Sequence, residues 1–242
     1  MNYPKKIEKG STIALVCPSS PIKQEDIEPF NQAMWDLGYE VILGKTLSLN
    51  KGGFMAGEPK DRIDELHEFF SNPEVDGIFC VRGGDSSIEL LQGLDAGLIK
   101  KNPKVFMGYS DITNLHVFLN QCCDLVTFHG PMVKSNIMEG LTDYEISSME
   151  LAFQGEGYFY ENPPGDPLVA IKTGHAQGRL VGGNLSLLCA GLGGPYEVDT
   201  KGKILLLEDI NESVEHLHRM LWQLKYAGKF EDASAVLLGD FN

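Results

Sequence analysis

The chain is poor in positive charge: 20 Lys and Arg stand against 34 Asp and Glu in 242 residues, a formal net charge of −14. Nucleic acid and anionic membrane are thereby excluded as main partners, because neutralising phosphates takes clustered cations. No apolar run approaches the roughly 18 to 20 residues that cross a bilayer. The run at 13–17 near the amino end is too short for a secretory signal core, so the sequence reads as a cytoplasmic protein. No CxxC spacing exists among the five cysteines, Cys17, Cys80, Cys122, Cys123 and Cys189, which argues against a zinc site or a disulfide framework. They read as free thiols, mostly within apolar runs, with the redox state of the vicinal pair Cys122 and Cys123 left open. Internal repeats and low-complexity tracts are absent too. With 43% hydrophobic and 22% charged residues, disordered and fibrous classes fall away.

What is present is an alternation of short apolar runs and helical patterns. A strand over 12–17 precedes a helix over 26–37, in which Ile27, Phe30, Met34 and Leu37 recur at helical spacing and Gly38 supplies the stop. A strand over 39–43 and a glycine-rich loop follow, and Pro59 then opens a helix with Ile63, Leu66, Phe69 and Phe70 on its apolar face. Residues 77–81 read as a buried strand followed by a helix after Ser87, and 105–107 as a strand followed by a helix through Leu115, Phe118 and Leu119. This order implies an α/β fold with a parallel sheet covered on both faces, whose ligands sit beyond the carboxyl ends of the strands. Residues 154–167, rich in proline and glycine, read as a linker between an α/β domain at 1–153 and a smaller mixed domain at 168–242. The second domain is expected to hold a strand at 168–171, a glycine turn at Gly182 and Gly183, and a short helix from Asn184. Then come a strand at 204–207, a helix from Ser213 with Val214, Leu217, Leu221 and Leu224 on one face, and a buried strand at 235–238.

Three strand ends carry candidate chemistry. Ser110, in VFMGYSDITNL, stands at a strand-to-helix turn that Gly108 allows to bend sharply. It is either a plain helix cap or a nucleophile on an elbow, although the second glycine of GxSxG is replaced by Ile112. The stretch Val81-Arg82-Gly83-Gly84-Asp85-Ser86-Ser87 is either a tight turn or a loop whose exposed N–H groups hold an anion. In it, Arg82 could grip a substrate carboxylate or pair with an acidic neighbour. Glu208 and Asp209 end an apolar strand, as solvated loop charges or as the acid that orients an imidazole. His216 and His218 project to different sides of a helix and make a poor metal pair. His129 follows another strand and reads first as a structural histidine.

Taken together, these segments resemble the LD-carboxypeptidase family of serine peptidases, which includes the microcin-immunity hydrolases. The likeness runs along nearly the whole chain in order: the opening strand ending Pro18-Ser19-Ser20, AGEPKDRIDEL into VDGIFCVRGG, PKVFMGYSDITNLH, TFHGPM, GRLVGGNLSLL, and KILLLEDINESVEHLHRMLWQLKYAGKF. The resemblance implies Ser110 as nucleophile and Glu208 as triad acid, with an oxyanion hole from Gly83, Gly84 and the backbone of Asp111. It implies a parallel α/β nucleophile domain plus a smaller mixed carboxy-terminal domain, no metal or other cofactor, and a homodimer. The expected activity is release of the terminal D-alanine from murein tetrapeptides in cell-wall recycling. The alternatives are an amidase acting on peptidyl or aminoacyl nucleotides, or a non-catalytic small-molecule binding protein on the same scaffold.

Two departures stand out. The family continues RGG with Tyr-Gly where this chain has Asp85-Ser86, which leaves the substrate contacts of Arg82, Asp85 and Ser86 open. The family's triad histidine lies in a glycine-histidine motif after the strand that is here 235–238. None of His67, His116, His129, His175, His216 and His218 matches it, so the second domain is expected to be incomplete at Asn242.

Overall fold

The computed structural model describes residues 1–155, 162–163 and 165–242. Strands β1 (Thr12–Val16), β2 (Glu40–Leu43), β3 (Gly77–Cys80), β4 (Val105–Gly108) and β5 (Phe128–His129) form a parallel sheet in the order β2-β1-β3-β4-β5. Helices α1 (Ile27–Asp36), α2 (Pro59–Ser71), α3 (Ala96–Lys101), α4 (Thr113–Cys122) and α5 (Asp143–Phe153) alternate with or follow them. The strands are apolar throughout because both faces are covered. Ala14, Val16, Ile78 and Phe106 pack with Leu66, Phe69 and Phe70 of α2 and Leu115 and Phe118 of α4. Ile13, Leu15, Phe79 and Met107 pack on the other side with Phe30 and Met34 of α1 and Met149 and Phe153 of α5.

This strand order reverses direction between β1 and β3, and ligands in such sheets collect beyond the strand ends at that point. The loops at 18–20, 82–87 and 109–111 meet there.

A second parallel sheet, in the order β6-β7-β8, is built from β6 (Leu180–Asn184), β7 (Ile204–Asp209) and β8 (Ala235–Phe241), with helices α6 (Leu185–Ala190), α7 (Val214–Tyr226) and α8 (Lys229–Asp232). Val181, Leu205 and Leu207 pack against Leu185, Leu188, Met220 and Leu224, and Val117 of α4 joins the same cluster. The helix that follows Ser110 therefore belongs to both cores. Gln121 at its far end accepts from Asp199 N at 2.7 Å and donates to Glu197 O at 3.1 Å. Among the described residues no helix is long and apolar enough to cross a membrane.

Several local expectations need correction. The segment after Ser87 is a 3-10 turn, Ser87–Leu90, and the next helix is α3, started by Asp95, whose side chain accepts from Leu98 N at 2.9 Å. Gly182 and Gly183 lie within β6 and not in a turn: a Cβ on Gly182 would stand 2.2 Å from Leu206 O, and one on Gly183 2.7 Å from Thr113 Oγ1. Glycine inside a strand here marks close backbone approach. The run at 168–171 forms no strand; Leu168, Val169 and Ile171 are 80–84% exposed, since β propensity yields nothing without a pairing partner. Of the expected α7 face only Val214 is exposed; Leu224 is buried, and Leu217 and Leu221 pack against the same cluster, which also takes Met220. Strand β8 exists but is not buried: as the outer strand it leaves Val236, Leu237 and Leu238 exposed. Of the expected linker at 154–167, residues 156–161 and 164 lie outside the described residues.

Candidate active site

Ser110 leaves β4 through the extended Tyr109 and takes a left-handed backbone with φ 63°. That conformation costs an ordinary L-residue about 1–2 kcal/mol and persists only where its surroundings impose it. Gly108 is part of that imposition, because a Cβ there would meet Cys80 Cβ at 3.0 Å and the Ile112 side chain at 3.1 Å. The bend lifts the half-buried serine out of the sheet at the start of the turn into α4.

The loop after β3 lies directly against this serine. A Cβ on Gly83 would fall 3.0 Å from both Cβ and Oγ of Ser110, and 3.4 Å from Asp111 N. Gly84, with φ 153°, is wedged on the other side, where a Cβ would come 2.1 Å from Ser20 Oγ. Only bare backbone fits between these serines, which brings peptide groups of the loop and of Asp111 around the hydroxyl.

The Asp111 side chain points inward and is fully buried. Its Oδ2 accepts from Ser86 N at 3.0 Å, Ser87 N at 2.8 Å and the Ser19 hydroxyl, while Oδ1 accepts from Asn114 Nδ2 at 3.1 Å. Ser86 is likewise turned into the protein, where its carbonyl and hydroxyl accept from Arg62 Nη1 at 3.1 and 2.9 Å. Of the loop residues considered for substrate contact, Asp85 is exposed, and Arg82 is partly exposed with Nη1 on Pro21 O at 3.1 Å. Among the described residues Arg82 has no carboxylate within ion-pair distance.

Glu208 reaches the same region through a chain of contacts. It pairs in register with Asn184 of β6, and Asn184 N donates to Thr113 Oγ1, at the start of α4, at 3.1 Å. Burial raises the Glu208 carboxyl to about 6; the adjacent Asp209 charge adds to the rise and Asn184 opposes it. Among the described residues its Oε1 is buried without a hydrogen-bond partner. Asp209, on the opposite face as strand alternation requires, is saturated. It accepts from Asn184 Nδ2, Ile210 N and Ser186 N, each at 2.9 Å, and from Ser186 Oγ at 2.6 Å.

The histidines divide clearly. His116 is buried, with Nε2 on Gly108 O at 2.8 Å and Nδ1 on Thr127 Oγ1 at 2.9 Å, and burial lowers it to about 4. A carbonyl can only accept, so Nε2 carries the proton and the threonine hydroxyl donates to Nδ1. His129 pairs with Gly108 in the β4–β5 register, and its Nδ1 would lie 3.3 Å from a Cβ on Gly183, at the seam between the two sheets. His67 accepts from Asp95 N at 2.8 Å, His216 bonds Glu212, His218 packs on Trp222, and His175 is exposed. Among the described residues no three His, Cys, Asp or Glu side chains converge as a metal site requires.

Sequence reading gave no hydrogen-bonding role to Arg62, Ser19, Asn114 or Asn184, nor the inward role of the Asp111 carboxylate. Only Asn184, just ahead of an apolar helical run, carried a local signal, that of a helix cap; its side chain accepts from Leu187 N at 3.3 Å.

With this geometry in view, the comparisons with known proteins agree with one another. Residues 13–130 match the LD-carboxypeptidase N-terminal domain and residues 177–242 the LD-carboxypeptidase C-terminal domain. The chain is 42% identical over 246 residues to the probable murein peptide carboxypeptidase of Bacillus subtilis, covering 100% of this chain and 76% of that one. It is 31% identical over 242 residues to the murein tetrapeptide carboxypeptidase of Pseudomonas aeruginosa, covering 95% and 76%. Among solved structures, an MccF-like protein from Bacillus anthracis superposes with a TM-score of 0.86 at 27% identity, covering 100% of this chain and 81% of that one. With both of its sheets matched, the chain belongs to the LD-carboxypeptidase family.

Proposed function

We propose that this protein is a serine carboxypeptidase that cleaves the L,D-peptide bond of murein tetrapeptides and releases the terminal D-alanine. The observation that carries the reading is Ser110 itself, held on left-handed backbone and pressed against Gly83, at the start of a helix whose Thr113 is bonded to Asn184, the register partner of Glu208. The likeness to a murein peptide carboxypeptidase and a murein tetrapeptide carboxypeptidase supports this substrate class.

Ser110 Oγ attacks the scissile carbonyl carbon as its proton passes to an imidazole. The carbonyl oxygen becomes an oxyanion that backbone N–H groups of the Gly83–Gly84 loop and of Asp111 stabilise. Collapse breaks the C–N bond, the imidazolium protonates the departing D-alanine amine, and water then releases the acyl group from Ser110. Glu208 holds the imidazole in the right tautomer and offsets its charge. The family resemblance assigns that imidazole to a glycine-histidine motif following the β8 strand. Arg82 and the exposed Asp85 are the side chains of that loop left for substrate contact, and no cofactor takes part. The same reading makes the protein a cytoplasmic homodimer of cell-wall recycling, with the domain division at 154–167.

The test is incubation of protein that carries the glycine-histidine motif with murein tetrapeptide, chiral analysis of the released amino acid, and the same assay on Ser110→Ala. D-Alanine from the wild type alone supports the reading. Cleavage only of an aminoacyl nucleotide moves the chain to the amidase branch. No turnover together with no labelling by a fluorophosphonate leaves a binding protein.

A further inference from the structure

We infer that the Asp111 carboxylate is a positioning residue that sets the distance between the two halves of the oxyanion site. The inference rests on the reading of Ser110 as nucleophile. Three loops meet at the reversal point of the sheet: the one after β1 with Ser19, the one after β3 with Gly83 to Ser87, and the one after β4 with Ser110 and Asp111. A single side chain ties all three together.

Asp111 Oδ2 takes hydrogen bonds from Ser19 Oγ, Ser86 N and Ser87 N, and Oδ1 takes one from Asn114 Nδ2. The return bond runs from Ser87 Oγ to Asp111 O at 2.6 Å, and Asn114 Nδ2 also reaches Ser87 Oγ at 3.1 Å. Asp111, Ser19 and Ser87 are fully buried and Ser86 is 1% exposed, so bulk solvent does not reach these bonds. A carboxylate suits this place because every neighbour presents a donor. The amide of asparagine would turn an NH2 toward either the two loop N–H groups or the Asn114 amide. The carboxylate grips the loop at Ser86 and Ser87, two residues beyond Gly84. The N–H of the same residue is the proposed second donor, and Gly83 lies at contact distance from Ser110 between them. Slack in this clamp lets the Gly83–Gly84 peptides drift from the point where negative charge develops. A misplaced donor of this type costs about 100-fold or more in turnover.

The experiment compares Asp111→Asn, Ser19→Ala and Ser110→Ala in protein that carries the glycine-histidine motif. Readouts are kcat and KM on murein tetrapeptide, the second-order rate of Ser110 labelling by a fluorophosphonate, and amide exchange at Ser86 and Ser87. The expected result for Asp111→Asn is a loss of about 100-fold in kcat and in labelling rate, KM within about threefold, and faster exchange at the two amides. Ser19→Ala, which keeps the carboxylate and guards against a misfolded Asp111→Asn, should lose about tenfold in kcat in the same pattern. Turnover and labelling within twofold of wild type in both variants overturns the clamp. So does a loss that follows only the folded fraction, with kcat per folded molecule unchanged. Persisting turnover in Ser110→Ala overturns the nucleophile reading instead, and the clamp with it.

Discussion

Glu208 and Asp209 are adjacent in β7 and have opposite environments: Asp209 accepts four hydrogen bonds, whereas Glu208 keeps a buried Oε1 with no partner among the described residues. Strand alternation separates them, sending Asp209 to the α6 side and Glu208 to the other face. One carboxylate is used up in holding the fold, and the other is free to take a partner.

Substitution should separate these roles. Glu208→Gln is expected to cut turnover about ten-thousand-fold, the effect of losing the acid that orients a catalytic imidazole. It should not weaken the fold at neutral pH. A carboxyl raised from the ordinary 4.5 to about 6 binds more protons folded than unfolded in that window, so its charge opposes folding above it. The shift corresponds to at most about 2 kcal/mol, and solvent screening at a half-buried group brings the expected gain to roughly 1 kcal/mol. Asp209→Asn should do the reverse, losing about 2 kcal/mol of stability through mispaired donors at Asn184 and Ile210 while the folded fraction still turns over. Urea denaturation at pH 7.5 and kcat per folded molecule decide this. Near-normal turnover in Glu208→Gln with collapse in Asp209→Asn would move the acid to Asp209.

At Ser110 the backbone strain is separable from the chemistry. Both Ser110→Ala and Ser110→Gly should lose turnover by on the order of a million-fold, as removal of a triad serine can. Their stabilities should differ, because φ 63° suits glycine and strains alanine. Ser110→Gly is expected to be more stable than Ser110→Ala by about 1 kcal/mol. Equal denaturation midpoints would mean that the elbow relaxes when the hydroxyl is gone.

The parts of the site visible in the sequence are those with a local signature. A serine after a strand and a glycine, two glycines after a buried strand, and acids closing an apolar run all sit at strand ends, where alternating β and α patterns place ligands. The clamp was not visible because its bonds span the chain: Ser19 is 92 residues from Asp111, and Arg62 is 24 residues from Ser86. Period and propensity say nothing about such pairs. The misread elements share the opposite fault, a strong local signal overruled by tertiary context. Residues 168–171 are apolar enough for a strand yet have no pairing partner among the described residues, and Gly182 and Gly183 suggest a turn while serving close packing against β7 and α4.

The cysteines give a prediction on reactivity. Burial raises all five thiols, Cys123 to about 12 and Cys189 to about 11, and Cys122, raised as well, is the one a reagent can reach. Thiolate is the reactive form, so the native protein should take up one equivalent of maleimide at pH 7.5, at Cys122, and five after denaturation. Peptide mapping checks the site. Rapid native labelling at Cys123 as well would show that the end of α4 opens.

The last prediction concerns His116 and acid. Its ring joins Gly108, two residues before the elbow, to Thr127 beside β5, and it is neutral in the fold with its titration lowered from 6.5 to about 4. Between those values the unfolded chain binds a proton that the folded chain refuses, so stability rises with pH across the window and is lost as pH falls from 6.5 toward 4. The full effect is about 3 kcal/mol for a group this buried. In His116→Gln the amide can still donate to Gly108 O and accept from Thr127, but it cannot titrate. The wild type should therefore lose about 2–3 kcal/mol more than His116→Gln between pH 7 and pH 4.5 in urea melts. His129, whose charge also bears on His116, is present in both proteins and contributes to both curves. Parallel losses in the two proteins would mean that His116 is not the group that takes up the proton.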